Sequence, residues 1–114
     1  MGKYRISEFE EVVLLTIAVL YNEAYGVSIK QHIEASQDRK VSVGALQSCL
    51  QRLEKKGYLT SREGEANSIR GGRPKKYFEL TAAGKKTLAV TRELRNQLWD
   101  AIPQAIMDVN LMPK

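Results

Sequence analysis

Residues 70–76 read Arg70, Gly71, Gly72, Arg73, Pro74, Lys75 and Lys76, which places four positive side chains within seven positions. Cations at that density attract phosphate. Gly71 and Gly72 let the backbone approach a partner closely, and Pro74 stiffens the chain that follows. A second set lies upstream. Gly44, Ala45, Gln47, Ser48, Gln51, Arg52 and Lys55 recur on one side of a helical spacing, opposite an apolar stripe of Leu46, Cys49, Leu50 and Leu53. Glutamine hydrogen-bonds base edges, serine reaches base edges or phosphate, and arginine and lysine pair with phosphate or guanine. Taken alone, each set also fits an ordinary solvated surface.

Other chemistries find no support. His32 has neither a plausible nucleophile nor a metal partner, and Cys49 reads as a small core residue on a buried stripe. No Cys/His spacing suits zinc, and Gly71-Gly72 lacks the strand, GxxxxGK[ST] and helix of a phosphate loop. Acidic residues are scattered among basic neighbours at helical spacing, as in surface pairs. Neither an enzyme nor a cofactor nor a metal is expected. The longest apolar run, 12–20, is well short of the ~18 residues that a membrane span needs. It lies too far in for a signal peptide, and the single cysteine fits a reducing compartment, so a cytoplasmic protein with no membrane partner is expected.

The net charge of +5 is unevenly placed. Residues 52–86 hold ten Lys/Arg against four Asp/Glu, whereas 1–51 hold five against six and 87–114 three against three. A patch of this kind is a footprint for an anionic partner: nucleic acid, acidic protein or anionic lipid.

Six elements and a loop must position these residues. Ser7 and Glu10 have the spacing of a capping box. Phe9, Val13, Ile17 and Leu20 follow, with apolar residues on most other faces, so the first helix should be buried both in its own core and against a partner chain. A second helix is predicted over 27–35, with Val27, Ile29 and Ile33 inward, then a turn over 36–40. Ser42 should cap a third helix over 43–56, ended by Gly57. Strands are expected over 58–63 and 75–80 around the polar loop 64–74. Thr81 should cap a last helix whose apolar face carries Leu88, Leu94, Leu98 and Trp99. Pro103 should end or kink it near Ile102, with 104–110 resuming. The predicted fold is mainly α with a β-hairpin, a winged helix-turn-helix over 1–80 followed by a C-terminal dimerisation helix over 81–114.

Several stretches of the chain resemble the PadR family of bacterial transcriptional regulators. They are Tyr25-Gly26, Ser42-Val43-Gly44-Ala45-Leu46, Leu50 to Leu59, Gly71 to Phe78, and Leu80-Thr81-Ala82-Ala83-Gly84. The resemblance spans about residues 9–88 and implies a homodimer, usually a repressor, on a palindromic double-stranded DNA operator. It also implies one long last helix packed on the partner's first helix. This chain has Gln47-Ser48 where the family commonly has Tyr-Pro. In short members of the family a tryptophan of the last helix lines an apolar cavity at the dimer interface and stacks on flat drugs. Trp99 lies at about the corresponding place.

On this reading Ser42, Gln47, Ser48, Gln51 and Arg52 face the major groove. Arg70, Arg73, Lys75 and Lys76 serve the wing, and Lys55 meets phosphate or solvent. Trp99 either anchors the dimer core or lines a pocket for a small aromatic or cationic effector, with Glu8 and Asp100 as the acids available to such a cation. The reading of a different class is a winged-helix protein-interaction module that does not bind DNA.

Overall fold

The computed structural model describes residues 5–64 and 74–108. Helix α1 (Glu8–Leu20) starts as a reciprocal cap, in which the Ser7 hydroxyl accepts from the Glu10 amide at 3.2 Å and the Glu10 carboxylate accepts from the Ser7 amide at 2.8 Å. Val13, Leu14 and Ile17 point into the core, while Leu15 and Val19 stay exposed on this single chain. A short 3-10 turn (Tyr21–Glu23) leads to α2 (Gly26–Gln37), which is longer at both ends than the predicted 27–35.

One inward assignment is corrected. Val27 is 58% exposed, because α2 buries Ile29 and Ile33 and a residue two positions before Ile29 lies on another face. The helix ends at Asp38 in the left-handed region, φ 50°. The following turn is held by Glu34, whose carboxylate accepts from the Val41 amide at 2.9 Å and pairs with Lys30 at 3.2 Å. The Val41 amide, then Lys30, hold the Glu34 carboxyl below its ordinary value.

Ser42 caps α3 (Val43–Lys55) by accepting from the Ala45 amide at 3.1 Å. Gly57, at φ 87°, closes it as expected: its amide bonds the Glu54 carbonyl at 3.0 Å, and the Tyr58 amide bonds the Leu53 carbonyl at 2.9 Å. Strands β1 (Leu59–Glu63) and β2 (Lys76–Leu80) pair antiparallel from Leu59 opposite Leu80 to Glu63 opposite Lys76. They begin one residue later than predicted. The segment before α2 also joins β2, through a Tyr25–Tyr77 bridge and a 2.8 Å bond from the Phe78 amide to the Ala24 carbonyl.

Helix α4 (Ala82–Ala101) is capped by Thr81, which also donates to the Gly57 carbonyl at 2.6 Å. Its first turn lies so close to the hairpin that a β-carbon on Gly84 would stand 2.2 Å from the Tyr58 carbonyl oxygen. Ile102 and Pro103 end α4 as predicted, and α5 (Gln104–Asp108) resumes. The core gathers Leu14, Ile17, Ile29, Ile33, Leu50 and Leu53 from α1, α2 and α3, with Leu59 and Phe78 of the hairpin closing it. This is the winged helix-turn-helix arrangement, mainly helical with one two-stranded hairpin. Among the described residues no helix is long and apolar enough to cross a membrane.

Candidate nucleic-acid interface

Leu46, Cys49, Leu50 and Leu53 are all buried, so α3 turns its other side outward. Gly44, Gln47, Ser48, Gln51 and Lys55 are all exposed there. Ser42 is exposed too, although its oxygen already serves the Ala45 amide. Lys55 makes no ion pair among the described residues.

The two flanks of that side lean on different helices. Gln47 leans on α2, where a methyl on Gly26 would stand 3.7 Å from its Nε2. Arg52 leans on α1. Its Nε lies 3.3 Å from Glu10 Oε2, and Lys56 Nζ reaches the same oxygen at 3.0 Å. Arg52 therefore occupies the margin next to α1, not the middle of the exposed side with Ser48 and Gln51.

Glu10 is buried, which by itself pushes a carboxyl up. The Ser7 amide, Lys56 and Arg52 outweigh that effect and hold the group below its ordinary value. Sequence reasoning had found Glu10 as a cap and missed this second role. Its partners lie 42 and 46 positions away, where no local spacing can signal them.

On the hairpin, Lys75 Nζ sits 4.2 Å from the centre of the Tyr25 ring, and Tyr25 meets the Tyr77 ring edge-on at 5.4 Å. Arg62, which the sequence reading did not single out, lies over the other ring of the pair, 4.9 Å from the centre of Tyr77. Lys76 faces Glu54 at 3.8 Å. Glu54 also accepts from the Ser61 hydroxyl at 2.6 Å, which ties the end of α3 to β1. Arg70 and Arg73 lie outside the described residues.

A separate cleft of about 350 Å³ runs between α1 and α4, lined by Glu11, Leu15, Leu88, Ala89, Arg92, Arg95, Asn96 and Trp99. Trp99 is 63% exposed, and the acid in the cleft is Glu11, paired with Arg95 at 2.9 Å. Glu8 pairs instead with Arg39 at 2.9 Å, and neither it nor Asp100 lines the cleft. Cys49 is fully buried, and burial pushes its thiol up to about 11, so it stays a neutral thiol near pH 7. Among the described residues no group of three or more His, Cys, Asp or Glu side chains gathers to hold a metal.

Residues 14–90 match the model of the Transcriptional regulator PadR-like family. The fold is similar to that of a PadR-like transcription factor from Bacteroides fragilis, at 27% identity and a TM-score of 0.68, covering 81% of this chain and 84% of that one. It is similar to a Streptococcus transcriptional regulator at 27% identity and a TM-score of 0.63, with 81% and 85% covered. A PadR family regulator from Eggerthella lenta shares the fold at 24% identity and a TM-score of 0.64, with 90% and 88% covered. No curated protein matches the chain.

Proposed function

Because the chain belongs to the PadR-like family of transcriptional regulators, we propose that it binds double-stranded DNA sequence-specifically, as a homodimeric repressor on a palindromic operator. One observation carries this reading: the polar side of α3 and the cationic end of the hairpin both come close to the start of α2. The Gln47 amide lies beside Gly26, close enough to touch a methyl placed there, and Lys75 lies over the ring of the neighbouring Tyr25. Amides that suit base edges and cations that suit phosphates therefore border one continuous surface.

Ser48 and Gln51 take the base edges, with Gln47 and Ser42 beside them. Lys55, Lys75 and Lys76 meet phosphates, joined by Arg70 and Arg73 from the loop. The dimer is supported by apolar side chains with no cover on one chain: Leu15 and Val19 of α1, and Leu94, Leu98 and Trp99 of α4. A second copy that laid its α4 along α1 would bury both sets. The winged-helix unit is then 1–80 and the dimerising unit 81–114. The cleft beside Trp99 would receive a small aromatic or cationic effector that relieves repression, stacked on the indole.

The test is a mobility shift with the DNA upstream of the protein's own gene, titrated with salt beside random duplex. Tighter binding to the upstream DNA, weakening steeply with salt, is expected. Equal affinity for both DNAs, or none, overturns sequence-specific reading and leaves a protein-interaction module. Gln51→Ala should lose upstream DNA selectively, by about 1–3 kcal/mol at one base position. Equal losses on both DNAs would remove Gln51 from that role.

A further inference from the structure

Two cations at the C-terminal end of α3, Arg52 in its last turn and Lys56 at its cap, are already engaged within the protein. Arg52 and Lys56, four positions apart on the flank beside α1, share the single oxygen Glu10 Oε2, while the other oxygen accepts from the Ser7 amide. The carboxylate is 5% exposed, whereas Arg52 and Lys56 are 51% and 40% exposed. The anchor is thus inside the fold, and the cations it holds lie at the border of the candidate DNA surface, on stems long enough to swing outward.

Sequence-independent affinity for DNA grows with the number of phosphates neutralised, and each added contact steepens the salt dependence by about 0.9. We propose that Glu10 is a specificity-determining residue, which holds Arg52 and Lys56 back from DNA phosphates and so suppresses binding to random sequence. The proposal rests on the DNA-binding reading above. It reverses the role first expected for Arg52, which becomes a restrained charge and not a reader of bases. A purely structural ion pair would behave differently: its loss would weaken binding or leave it unchanged, whereas loss of a restraint strengthens binding to random DNA.

Glu10→Gln separates the two roles, since the amide keeps the size of the side chain and an oxygen for the Ser7 amide while removing the charge. The full chain, E10Q, and E10Q combined with Arg52→Ala and Lys56→Ala are compared for the salt at which each elutes from heparin. The same proteins are titrated on upstream and random duplex between 50 and 200 mM salt. E10Q should elute later, bind random DNA about tenfold more tightly at the low-salt end, show a slope steeper by about 1 to 2, and discriminate less. Adding the two alanines should cancel each gain.

Unchanged or earlier elution of a folded E10Q, or a gain that survives the two alanines, overturns the proposal. If E10Q does not fold, Arg52→Ala with Glu10 intact decides. An unchanged slope on random DNA supports restraint, and a slope flatter by about 1 overturns it. If E10Q shifts on heparin but wild type and variant alike ignore DNA, the DNA-binding reading fails while the restraint on polyanion contact stands.

Discussion

The first half of the chain and the last helix treat apolar residues in opposite ways. Val13, Leu14, Ile29, Ile33, Leu50 and Leu53 are all within 1% of complete burial. In α4 only Gly84 and Thr87 are buried, and every residue from 92 to 101 is exposed, Leu98 by 73%. The three-helix and hairpin unit is thus complete in one chain, while the distal half of α4 is amphipathic without a partner. Leucines in α3 meet their packing within the protomer, whereas Leu94 and Leu98 of α4 do not. The part of α4 built into the core is its N-terminal half, through the Thr81 cap, the close approach of Gly84 to Tyr58, the buried Thr87 and the half-buried Leu88. Further along, the Arg95–Glu11 pair ties it to α1.

Substitutions in the two regions should diverge accordingly. The largest effect is expected on assembly: Leu98→Glu places a charge in the face assigned to the dimer, where burial without a partner costs several kcal/mol. Light scattering should then give one chain mass in place of two. A dimeric L98E, or a monomeric wild type, would break the comparison. Leu50→Ala should cost about 2–5 kcal/mol in a denaturant melt, because it leaves a cavity in a sealed core. A cost below about 1 kcal/mol would mean the core is looser than its burial implies.

Gly84→Ala follows, at about 1–3 kcal/mol, since the added carbon meets backbone that cannot swing aside. A stabilised variant, as helix propensity alone would suggest, would show that α4 can lift from the hairpin at little cost. Thr81→Ala should cost about 1 kcal/mol through loss of the cap. The smallest effect is spread over pH. The folded Glu10 carboxyl lies below its ordinary 4.5, so its contribution is present above that value and is lost as pH falls through the lower, folded value. Stability measured across that acid window should decline less in E10Q than in wild type. Equal declines would place the acid sensitivity elsewhere.

Much of this was legible in the residues because it is local. Ser7, Ser42 and Thr81 cap helices, Gly57 ends one, and the 3.6-residue period separates Leu46, Cys49, Leu50 and Leu53 from Gln47, Ser48 and Gln51. Each of these depends on neighbours within four positions, where spacing implies contact. Val27 is the exception: its apolar type implies an inward position, but its angle to Ile29 on the helix sets it on another, exposed face.

By itself, then, the sequence determined the element order, the polar side of α3, the basic excess in 52–86 and the family. Only the tertiary structure decided that Arg52 and Lys56 share Glu10, that Gln47 and Lys75 each come close to the start of α2, and that Glu11, not Glu8, enters the Trp99 cleft. The physical reason is the same in each case. Charge pairing and side-chain packing act over a few ångströms in space, and chain folding brings residues to that distance from dozens of positions apart, where no periodicity records the meeting.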